Sequence, residues 1–73
     1  MKFRVVTFFR YRNPQVSMNG QVGNNSPKYR GSLEAAIKVA REEKGHIDRS
    51  PDADYVKTDI TEWAFVRNIK VEL

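Results

Sequence analysis

The stretch that decides the fold is residues 2–12, which read KFRVVTFFRYR. β-Branched and aromatic residues dominate it, and basic residues are spaced between them, which is typical of a β-strand. Because successive side chains of a strand point to opposite faces of a sheet, the odd positions from Phe3 to Tyr11 form the predicted core face. The even positions form a second face that is apolar at Val6 and Phe8 and basic at both ends.

Charge is unevenly distributed around this strand. The chain has 73 residues and a net charge of +4. Residues 1–31 carry six basic side chains and no acidic one, whereas residues 32–73 carry seven basic and nine acidic side chains. Clustered charge steers association with an oppositely charged partner. The basic first third is therefore the predicted working surface.

Residues 33–44 carry the pattern of one amphipathic helix. Apolar residues recur there at spacings of three and four, beginning at Leu33. Ser32 suits the N-cap position, and Gly45 suits the first position after the helix. The sequence therefore predicts a helix that begins after Ser32 and ends before Gly45.

The rest of the chain alternates between turn-rich and strand-like segments. Residues 13–31 are polar and rich in turn signals, which predicts either a short β-flap within residues 14–23 or a mobile loop. Residues 46–53 resemble a connecting loop. Residues 54–60 and 63–72 have the composition of two further strands, joined by a tight turn near residues 61 and 62.

The element order predicts an α+β protein with a single two-layer domain over residues 1–73. One helix packs on one face of a three-stranded, mainly antiparallel sheet. With the strands numbered along the chain, the favoured spatial order is 1-3-2. The alternative places the first and second strands side by side and parallel, through a right-handed crossover.

Size and composition argue against catalysis. A domain of this length has a thin core and little material for a deep pocket. The chain has no cysteine, and its only histidine, His46, is expected in a solvated loop. No metal or cofactor motif is present, so we expect no cofactor and no enzyme activity. No apolar run approaches the roughly 20 residues that span a bilayer, and we expect a cytoplasmic protein.

A two-layer fold leaves the even face of the first strand without a helix. Cations that flank an exposed aromatic ring suit an acidic protein surface or a nucleic acid. Alternatively, the flap or a second subunit of a homodimer covers Val6 and Phe8. Trp63 is either part of the core rim or a contact residue. The predicted binding residues supply charge or apolar contact, and they are Arg4, Phe8, Arg10, Arg12, Lys28, Tyr29 and Arg30.

The general plan resembles small phage-encoded inhibitor proteins. A Met-Lys start leads directly into a strand, and the helix SLEAAIKVAREE precedes the β runs DYVKTDI and WAFVRNIKVEL. Several anti-CRISPR proteins are similar in size and in having one helix packed on a small sheet. The resemblance implies a non-catalytic inhibitor or accessory protein that occludes a host protein or a protein–nucleic-acid complex. Direct nucleic-acid binding by the same basic surface is the second hypothesis.

Overall fold

The computed structural model describes residues 2–12 and 22–73. The described part has an α+β fold with one helix on an antiparallel sheet, as the sequence predicts. The predicted flap lies largely outside the described residues. Within them, no helix combines the length and the apolar character needed to cross a bilayer. The elements in chain order are β1 (Phe3–Tyr11), β2 (Val22–Asn24), β3 (Lys28–Arg30), α1 (Leu33–Asp48), β4 (Ala53–Glu62) and β5 (Arg67–Ile69).

The order of the strands differs from the prediction. β4 lies between β1 and β5, while β2 and β3 both pair with the other edge of β1, and all these pairs are antiparallel. The sheet has five strands and not the predicted three, so the predicted order 1-3-2 is wrong, and so is the parallel alternative. β3 runs antiparallel to β1 and ends opposite Phe3, and the helix then carries the chain back to the Tyr11 end of β1. The ten residues of β4 therefore pair antiparallel along all of β1. β5 has only three residues and pairs with β4 alone, so it forms an edge of the sheet.

The hydrophobic core lies between α1 and the sheet. Its buried residues are Phe3 and Val5 of β1, Ile60 of β4, and three residues on one side of α1. Thr7 is also fully buried. The predicted core face of the first strand is thus confirmed, because its odd positions as far as Thr7 are the ones that meet the helix.

The helix begins where the sequence predicts and ends later. The hydroxyl of Ser32 accepts a hydrogen bond of 3.2 Å from the amide of the third helical residue, which confirms the N-cap. Gly45 does not end the helix, which continues to Asp48. The additional turn buries Ile47 against the rest of the fold, which favours continuing the helix past the glycine. His46 is therefore an exposed residue of the last helical turn and not of a loop.

The connection between β4 and β5 also lies later than predicted. β4 continues through Glu62, and the turn occupies residues 63–66. Phe65 has a positive φ of 67°, and the amide of Phe65 donates a hydrogen bond to the carbonyl of Glu62. The predicted last strand over residues 63–72 therefore shortens to Arg67–Ile69, and Arg67 lies on an edge strand.

A bulge in β4 changes which of its side chains share a face. Phe8 is opposite Lys57 but Phe9 is opposite Tyr55, so Val56 is an additional residue on the β4 side. Tyr55 consequently lies on the side of the helix, and its hydroxyl is 2.9 Å from the Thr58 hydroxyl. The strict alternation predicted for this strand holds from residue 57 to residue 60 only.

Candidate binding face

The sheet face opposite α1, called here the helix-free face, carries the even-numbered side chains of β1. Arg4 is opposite Tyr29 of β3 and Thr61 of β4, and Arg10 is opposite Asp54 of β4. Directly paired residues of antiparallel strands place their side chains on the same face. Tyr29 and Asp54 therefore belong to the helix-free face together with the arginines of β1.

The predicted binding residues divide between the two sides of the sheet. Lys28 and Arg30 are opposite Val5 and Phe3, so their side chains emerge on the side of the helix. The sequence did not indicate that residues 28–30 form a strand. Because they do, the side chains of Lys28, Tyr29 and Arg30 alternate between the two faces of the sheet. The remaining five lie on the helix-free face, and they are Arg4, Phe8, Arg10, Arg12 and Tyr29.

Lys28 has an internal partner. Its ammonium group forms an ion pair with the carboxylate of Glu43 in α1, whose side chain is only 6% exposed. The Thr7 hydroxyl donates a second hydrogen bond of 2.7 Å to the same carboxylate. A buried carboxylate needs such partners to offset its loss of hydration. Lys28 therefore joins β3 to the helix. Arg30 donates a hydrogen bond of 2.7 Å to the carbonyl of Tyr29.

At the far end of β1, Arg12 also has an internal partner. Its Nε donates a hydrogen bond of 2.7 Å to the carboxylate of Asp54. This hydrogen bond lowers the pKa of Asp54 and raises the pKa of Arg12. Both groups are exposed to solvent, and exposed ion pairs add little stability. Arg10 is exposed and, by its charge, further lowers the pKa of Asp54.

Phe8 is less accessible to a binding partner than the sequence predicts. Its side chain is half-buried, and the ammonium group of Lys57 lies 5.0 Å from the centre of its ring. Lys57 also approaches Asp59 at 3.5 Å. Val6 is half-buried between these positions. The middle of the helix-free face is therefore partly covered by the side chain of Lys57.

Three cations of this face make no hydrogen bond or ion pair with any residue in the ranges that the structure describes, and they are Lys2, Arg4 and Arg10. The Arg4 guanidinium lies 4.8 Å from the ring centre of Phe65, and its buried Nε has no acceptor within the described part of the chain. The Lys2 ammonium lies 5.8 Å from the ring centre of Tyr29. Two of these cations thus lie against aromatic rings.

These rings form a cluster, called here the aromatic corner, that consists of Tyr29, Trp63 and Phe65. The Phe65 ring contacts Tyr29 at 5.7 Å and Trp63 at 5.2 Å between ring centres, both edge to face. Tyr29 is 47% exposed and Trp63 is 66% exposed. The sequence predicts Tyr29 as a binding residue, allows either a core or a contact position for Trp63 and gives no indication of Phe65. The contiguous apolar run from Trp63 to Val66 is its only signal for the corner, and such a run is equally typical of a strand.

No other chemistry is evident in the described part of the chain. Residues 2–12 and 22–73 contain no group of three histidine or acidic side chains that could hold a metal ion. No protein-family model matches the sequence, and no curated protein or solved structure is significantly similar to it. The helix-free face and the aromatic corner are therefore the candidate site.

Proposed function

We propose that this chain is a non-catalytic binding protein that occludes an acidic surface of a host protein or of a protein–nucleic-acid complex through its helix-free face. The observation that carries the proposal is the contrast between paired and unpaired cations. Arg12 and Lys28 have carboxylate partners, whereas Lys2 and Arg4 have none among the described residues. Arg10 forms no ion pair there, although its charge acts on Asp54. Cations without internal partners are available to carboxylates or phosphates of another molecule.

The aromatic corner supports the same function. Trp, Tyr and Arg are the residue types that dominate the energy of binding interfaces, since they combine large apolar area with a polar group. Trp63 and Tyr29 are both substantially exposed, and Arg4 lies beside them against Phe65. A face that offers exposed rings next to unpaired cations has the composition of an interface centre.

Direct binding of nucleic acid is the second candidate. The observation that favours it is the placement of Lys2 over Tyr29 and of Arg4 over Phe65. Proteins that hold single strands combine cations for the backbone with aromatic rings for the bases. This candidate uses the same face and differs only in the chemical class of the partner.

The proposal is tested by affinity capture from a lysate of the host cell, with and without nuclease. Lys2→Glu combined with Arg10→Glu reverses two exposed cations of the helix-free face. The matched control is Lys38→Glu combined with Arg41→Glu, which makes the same change of charge on the exposed side of α1. We expect the first double variant to lose the captured partner and the control to retain it, with both variants folded by circular dichroism.

Equal capture by both double variants would contradict the proposal. Loss of the partner after nuclease treatment would indicate that nucleic acid bridges the two proteins. Light scattering on the purified protein tests the remaining alternative, a homodimer. If a second copy occupies the helix-free face, the wild-type protein is a dimer and the Lys2→Glu/Arg10→Glu variant is a monomer.

A further inference from the structure

We infer that the aromatic corner is a binding site for single-stranded nucleic acid, with a base stacked on Trp63 and the adjoining phosphates held by Lys2 and Arg4. This inference rests on the proposed binding face and deepens the second candidate function, because it assigns single-stranded nucleic acid to one part of that face. Its three supports are the exposure of the rings, the fixed arrangement of the cluster and the local absence of free carboxylates.

The exposed apolar groups of the corner lie outside the hydrophobic core. Tyr29 and Trp63 are the exposed rings, and the neighbouring Val66 is 89% exposed. None of the three belongs to the hydrophobic core cluster. Contiguous exposed apolar residues on a small protein indicate a contact site. In this corner the apolar surface is aromatic, which every base can stack on through its π-face.

The corner is fixed in place by three separate elements. β3 places Tyr29 directly opposite Arg4, and the turn after β4 brings Phe65 within 4.8 Å of the same guanidinium. Phe65 in turn contacts Trp63 edge to face at 5.2 Å. A platform that is arranged before binding loses less conformational entropy when a ligand stacks on it. The sheet therefore presents Trp63 in a defined position despite its exposure.

Charge around the corner suits a polyanion. Lys2 and Arg4 lie against the rings and have no ion-pair partner in the described residues. The nearest carboxylates along β4 are already paired, Asp59 with Lys57 and Glu62 with Arg67. Each carboxylate of β4 thus has a cation of its own, which reduces its repulsion of a phosphate that approaches Lys2 or Arg4. Arg10, six residues further along β1, extends the row of cations by roughly 20 Å.

The alternation of cation and ring favours a nucleic acid over an acidic protein. Each nucleotide joins one phosphate to one π-face, and in the corner each cation lies 4.8 or 5.8 Å from the centre of a ring. An acidic protein surface supplies carboxylates and apolar groups from separate residues, with no such fixed pairing. A duplex keeps its bases stacked inside the helix, so an open platform on a sheet reaches only unpaired bases.

Trp63 is the only tryptophan of the chain, so its fluorescence reports the occupancy of the corner directly. The probes are short oligothymidylate, short oligouridylate, a DNA duplex of the same length and polyglutamate, each titrated at low ionic strength and at about 0.15 M salt. We expect the two single strands to quench Trp63 and to bind more tightly than the duplex. Their affinity should fall with salt, with a log–log slope of about −0.7 for each phosphate neutralised.

Variants test the aromatic part and the cationic part of the site separately. Their affinity is measured by the anisotropy of labelled oligothymidylate. Trp63→Ala should weaken binding by about 5- to 150-fold, the range expected for one stacked base, and Trp63→Phe should retain most of the affinity. Lys2→Ala should reduce the slope of the salt dependence by about 0.7. Lys38→Ala, the matched control on α1, should change neither the affinity nor the slope.

Three results would overturn the inference. The first is that neither single strand binds at low ionic strength. The second is that a single strand binds without changing Trp63 fluorescence and binds the Trp63→Ala variant as tightly as the wild-type protein. The third is that polyglutamate quenches Trp63 with an affinity equal to or higher than that of the single strands. None of these results contradicts the proposed function. That function fails if the Lys2→Glu/Arg10→Glu variant captures the partner from lysate as well as the control variant does. Failure of the nucleic-acid assignment and failure of the binding face are therefore separate outcomes.

Discussion

Cations at the β3 end of the sheet differ between its two faces. On the side of the helix, Lys28 reaches a carboxylate that is almost completely buried, and Thr7 completes the hydrogen bonding of that group. On the helix-free face, Lys2 and Arg4 lie over aromatic rings and have no carboxylate partner among the described residues. Both sets come from the same acid-free first third of the sequence.

The difference shows that a count of charges does not locate a binding surface. A cation with an internal carboxylate contributes to the fold, and its removal acts on stability. A cation without one adds little to the fold, and its removal acts on association. The pairing of each side chain decides between these roles, and the following changes separate them, from the largest effect on stability to the smallest.

The largest effect is expected from truncating the core on the side of the helix. Ile60 is 1% exposed, so Ile60→Ala should lower the free energy of unfolding by about 2–5 kcal/mol. Val66→Ala in the turn after β4 truncates a side chain that is 89% exposed and should change the free energy of unfolding by less than about 0.5 kcal/mol. Urea denaturation measures both. Comparable losses would mean that the turn over residues 63–66 is part of the core.

An intermediate effect is expected from Lys28→Ala. The change leaves the carboxylate of Glu43 buried without its cation, and Lys28 itself is 46% exposed, so we expect a loss of about 1–3 kcal/mol. Lys38→Ala, an exposed cation of α1, is the control and should be nearly neutral. Adding Glu43→Gln to Lys28→Ala removes the unpaired charge and should recover part of the loss. A Lys28→Ala variant as stable as the control would show that the ion pair does not stabilise β3.

The smallest effect is expected at the exposed pair of Arg12 and Asp54. The pKa of Asp54 is lowered in the folded protein, so its contribution to stability is present above the pKa of the unfolded chain and is lost as pH falls through the folded value. Arg12→Gln should therefore raise the pKa of Asp54, as measured by an NMR titration of its carboxyl carbon. Lys57→Gln, which acts on Asp59, should leave that pKa unchanged. An unchanged pKa in Arg12→Gln would contradict the assigned cause.

Much of the fold follows from short-range patterns, and the strand order does not. The alternation in residues 2–12 identifies Phe3, Val5 and Thr7 as core positions, and Ser32 marks the beginning of the helix. The end of the helix was missed because burial of Ile47 outweighs the stop signal at Gly45. The order 1-3-2 was wrong because β3, which the local pattern did not indicate, returns the chain to the Phe3 end of β1, so that the strand after the helix pairs antiparallel with β1 directly.

The candidate site was also predictable only where short-range patterns specify it. Arg4 and Arg10 were identified because they share one parity of one strand. Trp63 and Phe65 were not, since their meeting with Tyr29 depends on a contact over more than 30 positions of the chain. No local pattern specifies that the turn after β4 lies against β3, which pairs with the other edge of β1.

The sequence by itself determined the α+β class, the buried face of β1, the start of α1 and the concentration of positive charge in the first third. These are consequences of alternation, capping and composition, which act within a few residues. Only the tertiary structure decided the neighbours of β1, the pairing of Lys28 with Glu43 and the assembly of the aromatic corner. These depend on which distant segments meet, and the packing of the whole domain sets those contacts.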